Sequence, residues 1–276
     1  MGQKANSNVL RLGLKKNEWK SKYIEKLTEE SSIFVYNDLE IRKYLDRFFQ
    51  LHGLILHDCR LNYSNNRLDI SLSYFVTTKA LKFINPTKAA KKSSVIHLRN
   101  GLSFTEMLLE SITKFTKRKT SVSINFYELN RKLSLSVRKS QVVSLKKIKT
   151  QLRQFKRAQF FKETLNVLFV AIKKRESSKL LSQFIALQLS TTKRHNFFLI
   201  FLKQSLILLS QSDFSAIHGV KIVIKGRFNG APRARSQTLQ IGTVPLQFLE
   251  AKVSYSEATA YTPNGTFGIK CWISEN

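Results

Sequence analysis

Arginine on sharply bent backbone is the first chemistry this sequence offers. Arg227, Arg233 and Arg235 lie among Gly226, Gly230, Pro232 and Gly242. Small residues let the main chain approach a ligand closely, and a guanidinium fork matches the oxygens of a phosphate. The implied chemistry is recognition of a phosphate backbone, not bond-making. Lys225 and Lys270 add charge on the strands that flank this stretch. Catalytic sets are absent from the pattern: no Ser/His/Asp signature, no phosphate-binding glycine loop and no paired carboxylates in a defined context. His52, His57 and His97 come without a partnered nucleophile, and His195 and His218 read as surface or turn histidines. The triplet His57-Asp58-Cys59 lacks a second ligand pair at zinc spacing, so no metal and no other cofactor is expected. Cys59 and Cys271, far apart in strand-like contexts, read as buried small apolar residues.

Composition points the same way. Lys plus Arg number 47 against 18 Asp plus Glu in 276 residues, a net charge of +29. Self-repulsion on that scale is relieved by a polyanion such as RNA. The cations are spread along the chain instead of lying on one amphipathic helix, which argues against a membrane surface. The most apolar run, Phe197 to Leu209, is too short to span a bilayer and is broken by Lys203 and Gln204. Met1-Gly2 lacks the Ser or Thr that myristoylation needs, with Asn6 in its place, and no secretory signal is seen. The length allows two small domains with real cores.

The elements that must position these residues follow in order. Residues 1–36 read as a basic extension, with Lys4, Arg11, Lys15 and Lys16 ordered only on RNA. Asn37-Asp38 reads as the N-cap of a helix carrying Ile41, Leu45 and Phe48, closed by Gly53. Strands are predicted at Leu54 to Tyr63 and Leu68 to Val76, with Ser64-Asn65-Asn66 turning between them. A helix at Phe104 to Phe115 and a strand through Val122, Ile124 and Phe126 follow. Arg131 to Arg157 holds ten basic residues and no acid. It leads into a predicted helix from about Gln151 to Lys174, whose Phe160, Phe161, Leu165, Leu168, Phe169 and Ile172 form one wide apolar stripe. That segment is either a basic helix against RNA or a surface that docks a neighbouring protein. Two helices are predicted between Ser178 and Leu209. Strands through Val220 to Lys225, Val253 to Tyr261 and Thr266 to Ile273 close the chain, with turn-rich sequence from Gly226 to Gly242.

The stretch from Gly219 to Ile273 resembles the C-terminal domain of bacterial-type ribosomal protein S3. The residues that carry the resemblance are Gly219-Val220-Lys221-Ile222, Gly226-Arg227, Gly230-Ala231, Ala234-Arg235, Gly242 and Val244-Pro245-Leu246. Leu249, Ala251, Tyr255, Ala258, Ala260, Thr262, Gly265, Gly268, Lys270, Trp272 and Ile273 complete them. A second match opens the chain: Met1-Gly2-Gln3-Lys4, Asn8 and Arg11-Leu12-Gly13, with Asn6 and Ser7 where the family usually has His and Pro. The resemblance implies an α+β fold. A degenerate type II KH domain (αββααβ) at 37–130 would follow the extension at 1–36. A basic insertion at 131–176 and the S3 C-terminal domain at 177–276, with a mainly antiparallel sheet, would complete it. KH domains clamp nucleic acid with a Gly-x-x-Gly loop. The segment between Thr77 and Ser103 where it should fall has Gly101 alone, so the domain is expected to serve as a scaffold.

In function, the resemblance implies a structural constituent of the small ribosomal subunit and not an enzyme. It would bind rRNA in the head, line the channel through which mRNA enters, and neighbour proteins of the S10 and S14 families. A free RNA chaperone or a nuclease is the alternative. The helix pair before the C-terminal domain resembles the one lining the mRNA side, which assigns RNA contact to Lys193, Arg194 and Lys203. The family's cationic cluster there falls on Phe198, Leu199 and Leu202, which are therefore expected to be covered, by the Phe160 to Ile172 stripe or by another protein. The family match begins at Met1, so no cleavable transit segment is expected. The lost Gly-x-x-Gly and the long insertion point to a mitochondrial ribosome ahead of a plastid one.

Overall fold

The computed structural model describes residues 5–14, 19–78, 80, 104–117, 120–130, 139–173, 176–212 and 215–275. It is a mixed α+β chain with two four-stranded sheets, and it divides into two units. One comprises 19–130; the other joins 1–18 to 131–276. The expected extension at 1–36 is thus split between them, and the expected insertion at 131–176 belongs with the C-terminal unit.

In the first unit, β1 (Ser21–Lys22), α1 (Glu30–Leu51), β2 (Leu54–Tyr63), β3 (Arg67–Val76), α2 (Phe104–Phe115) and β4 (Ser121–Glu128) follow in order. The sheet runs β1-β2-β3-β4, antiparallel between β2 and β3 and parallel at both outer pairs. Helical spacing turns Ile41, Leu45 and Phe49 onto Leu61, Leu68, Ile70 and Leu72, with Leu108 and Ile112 of α2 in the same core. The helix begins at Glu30, not at Asn37-Asp38. Asp38 is no cap: its carboxylate accepts from Arg42 Nε at 2.9 Å and from Ser21 Oγ at 2.8 Å. Arg42 Nη1 also donates to the Cys59 carbonyl at 2.8 Å, so the pair straps β1 and β2 to the helix.

The second unit is built from α3 (Lys139–Gln151), a 3-10 turn (Arg153–Phe155), α4 (Phe161–Lys173), α5 (Ser178–Thr191), α6 (His195–Ser210), β5 (Ile217–Gly226), β6 (Arg235–Gly242), β7 (Val253–Thr262) and β8 (Gly265–Glu275). Its sheet, ordered β6-β5-β8-β7, is antiparallel throughout. Val220, Ile222 and Ile224 of β5 and Ile269, Cys271 and Ile273 of β8 share one face, as period-2 alternation requires. They enter one core with Leu181, Ile185 and Leu189 of α5, Phe198, Phe201 and Leu202 of α6, and Leu165 and Leu168 of α4.

Strand β6 corrects the reading of Gly226 to Gly242 as turn. Gln237, Leu239 and Ile241 alternate half-buried with exposed Ser236, Thr238 and Gln240. An edge strand that is half wet shows only weak apolar alternation. The predicted helix from Gln151 to Lys174 is also revised: a 3-10 turn at Arg153–Phe155 precedes α4, which starts at Phe161. Phe155 and Phe160 both stack on Phe201, at 5.1 and 5.3 Å. A continuous helix would set those two residues about 140° apart, so the backbone bends to bring both rings to α6.

The apolar stripe is therefore core and not a docking surface. Phe198, Leu199 and Leu202 are 0%, 3% and 0% exposed, and Phe160 meets Phe198 edge-on at 5.2 Å. The expected cover comes from this chain itself. Arginine at Phe198 and Leu199 would place unpaired charge in that core. The double variant Phe198→Arg/Leu199→Arg is expected to lose at least about 3 kcal/mol of stability, read as the urea midpoint of Trp272 fluorescence. Phe198→Leu is expected to cost about 1 kcal/mol. A wild-type midpoint in the double variant would show that α6 is not held in this way.

Candidate nucleic-acid interface

The site grows from the turn between β5 and β6. Asn229 and Gly230 take positive φ in succession, 54° and 76°. Glycine adopts this freely and asparagine tolerates it better than most side chains. Arg227 Nε donates to the Ala231 carbonyl at 2.9 Å, which fixes the side chain while leaving it exposed. Gly226 is required where it stands, since a Cβ there would lie 2.3 Å from Cδ1 of Phe267. That ring also meets Phe228 at 5.2 Å and His195 at 5.0 Å.

His195 is the residue that sequence reasoning misplaced. It is 3% exposed, not a surface histidine. Its backbone N–H donates to Asn229 Oδ1 at 3.0 Å, and the Asn229 N–H donates to His195 Nδ1 at 3.2 Å. Nδ1 is thus an acceptor, which puts the ring proton on Nε2, toward the carbonyls of Leu189 and Thr192. Burial pushes the imidazole pKa below its ordinary 6.5, against the opposing pull of those two carbonyls. The reciprocal bond ties the start of α6, just after Lys193 and Arg194, to the β5–β6 turn that carries Arg227.

The predicted residues sort as follows. Lys193, Arg194, Lys203, Lys225, Arg227, Arg233, Arg235 and Lys270 are all exposed. Lys225 and Arg235 converge with Arg227 at one end of the β5–β6 pair, where Gly226 faces Arg235. Lys270 lies across from Val223 on β8, with Glu257 at 3.8 Å. Lys203 stands further along α6. Lys4, Lys15 and Lys16 lie outside the described residues.

Arg11 is a correction. It is 1% exposed and is consumed by the protein itself. Nε donates to the Ala251 carbonyl at 3.0 Å and Nη1 to the Ser7 carbonyl at 3.0 Å. Nη2 reaches the carbonyls of Pro245 at 3.5 Å, Leu246 at 3.0 Å and Phe248 at 2.9 Å. No guanidinium edge is left for phosphate. Asn8 works alongside: its amide donates to the Tyr255 carbonyl and accepts from the Tyr255 N–H, both at 2.8 Å, occupying the free edge of β7. Residues 5–14 are therefore bonded to their own C-terminal unit. The spacing of Asn8 and Arg11 carries no sign of these partners, because all but the Ser7 carbonyl are backbone groups distant in sequence.

The triplet His57-Asp58-Cys59 is dispersed by strand alternation. His57 Nδ1 meets Ser73 Oγ at 2.9 Å, Asp58 takes Lys20 at 2.7 Å and Arg60 at 3.1 Å, and Cys59 is buried. Among the described residues no three of His, Cys, Asp and Glu are grouped to hold a metal, and no helix is long and apolar enough to cross a membrane. Burial raises the Cys271 thiol pKa, so the group stays protonated.

Comparison with known proteins finds one family model, "Ribosomal protein S3, C-terminal domain", over residues 204–273, which takes in the C-terminal part of α6 and nearly all of the sheet. The chain is 26% identical over 275 residues to small ribosomal subunit protein uS3c of Euglena longa, covering 100% of both chains. It is 28% identical over 276 residues to small ribosomal subunit protein uS3 of Phytoplasma mali, covering 99% of this chain and 84% of that one. Against small ribosomal subunit protein uS3c of Chara vulgaris it is 42% identical over 94 residues, 34% of this chain and 40% of that one.

Two measurements check the geometry. The folded-state pKa of His195 is lowered, so unfolding takes up a proton as pH falls through about 6.5. The histidine's full share of stability is present above that value and is lost as pH drops toward the folded pKa. His195→Asn keeps an acceptor for Asn229 and is expected to flatten the stability profile between about pH 7 and 5; parallel profiles would refute the neutral-acceptor assignment. Arg11→Lys cannot serve five carbonyls. It is expected to cost about 2–4 kcal/mol and to open 243–252 to limited proteolysis; unaltered cleavage would contradict the anchoring role.

Proposed function

We propose, because this chain is a divergent member of the uS3 family of small ribosomal subunit proteins, that its basic corner is where it holds rRNA. The chain is a structural constituent of the small ribosomal subunit. The observation that carries the site is the His195–Asn229 pair, which joins two cation clusters, Lys193-Arg194 and Arg227 with Arg233 and Arg235, on backbone that cannot spread. Cations fixed before binding lose little entropy on meeting a phosphate backbone. The relatives are organellar uS3c and bacterial uS3, which supports a ribosome of an organelle or a bacterium. They favour a plastid over the mitochondrial source expected from sequence drift.

In this reading the first unit is a degenerate KH-type scaffold, supported by α1, β2, β3, α2 and β4 in the expected order. Most of the segment from Thr77 to Ser103, where a Gly-x-x-Gly loop would fall, lies outside the described residues. The chain sits in the head of the subunit beside S10- and S14-family proteins, and the α5–α6 pair borders the channel through which mRNA enters, with Lys193, Arg194 and Lys203 toward it. Phe198, Leu199 and Leu202 are committed to the core, so unwinding of structured messages is weak. It needs no cofactor and acts as a binder, not an enzyme.

The test is reconstitution onto small-subunit particles stripped of their own uS3. The wild-type chain is expected to co-sediment. Arg227→Gln/Arg233→Gln/Arg235→Gln is expected to lower occupancy and to reduce the log–log salt slope of rRNA binding by about 2–3. An unchanged slope would remove the phosphate assignment, and failure of the wild-type chain to co-sediment would remove the subunit assignment.

A further inference from the structure

We propose that the segment from Lys146 to Arg157 is a contact surface for single-stranded RNA, replacing charge that α6 itself lacks. The inference rests on the reading of α6 as the helix beside the mRNA channel. Lys203 is the one Lys or Arg within α6, whose neighbouring positions Phe198, Leu199 and Leu202 are buried. Against this helix lies a segment with six exposed cations, Lys146, Lys147, Lys149, Arg153, Lys156 and Arg157. Among the described residues none of them has a carboxylate partner, and no acid occurs between Arg131 and Arg157.

These cations stand on a fixed platform. Ile148, Leu152 and Phe155, interleaved with them, are buried in the main core. Phe155 packs, ring tilted, at 5.0 Å from Phe197 in the first turn of α6 and at 5.1 Å from Phe201 one turn later. Gln154 Nε2 donates to Gln204 Oε1 at 3.0 Å, next to Lys203. Arg153 and Lys156 are therefore locked alongside α6 by the residues adjoining them. Phe197 remains 41% exposed, just after Lys193 and Arg194. Exposed cations crowded along one anchored segment raise a repulsion that a polyanion relieves. An exposed ring among them is a stacking surface for an unpaired base, which a duplex does not offer.

The test titrates the full-length chain with a short fluorescein-labelled oligouridylate by anisotropy, at several KCl concentrations. Arg153→Gln/Lys156→Gln/Arg157→Gln is expected to weaken binding about tenfold at low salt and to reduce the salt slope by about 2, three contacts at roughly 0.7 each. Phe197→Leu preserves apolar packing on Phe155 and is expected to weaken binding with the slope unchanged. Both variants should keep the wild-type urea midpoint. An unaltered slope and affinity in the triple variant overturns the proposal, as does equal binding of a duplex RNA that is insensitive to Phe197→Leu. Co-sedimentation separates this from the subunit reading: if the wild-type chain joins small subunits while the triple variant binds oligouridylate normally, only the surface proposed here falls.

Discussion

The reciprocal hydrogen bond between His195 and Asn229 is the constraint on which the basic corner depends. It works only if the imidazole is neutral, since a protonated Nδ1 would confront the Asn229 N–H donor-to-donor. Burial against Phe267 and Phe228 enforces that state. Phe267 in turn can sit there only because residue 226 has no side chain. A glycine, two rings and a histidine thus decide where five exposed cations stand. The chemistry at the surface is generic charge, and its specificity of place comes from apolar packing beneath.

The same logic governs α3 and α4. Their segment is basic enough to look like an RNA-bound tail, yet its apolar residues complete the core of the C-terminal unit. Lysine and arginine accommodate this because their charged ends stay in water while the backbone between them is anchored. A highly charged segment contributes to the core of its unit by separating the two roles residue by residue.

Much of the architecture was legible in hydrophobic period. The helix at Phe104–Phe115 and the strand at Leu54–Tyr63 have the bounds their patterns imply, and β5 and β8 show the apolar faces read from alternation. What escaped was set by long-range geometry. Strand β6 is a wet edge, so Gln237, Leu239 and Ile241 carry only a faint alternation. The eight residues of α1 before Asp38 carry Ile33, Val35 and Tyr36, which remain exposed, so no periodic stripe announces them. Arg11 resembles the phosphate-binding arginines around it in every local respect, and what separates it is the ring of carbonyls supplied by the β6–β7 loop. His195 likewise has no neighbour in sequence that foretells Asn229.

The burial of Arg11 also carries a consequence in time. Its acceptor at Ala251 lies 240 residues further along the chain. At roughly 5–20 residues per second of synthesis, that separation is about 12–48 s. Throughout that interval Arg11 is without its partners in the β6–β7 loop, while all of 19–130 is being made. Residues 5–14 must therefore stay available until Ala251 and Tyr255 have been made. The closing bonds of the C-terminal unit join residues some 240 positions apart, which makes completion of that unit wait on the β6–β7 loop and β7.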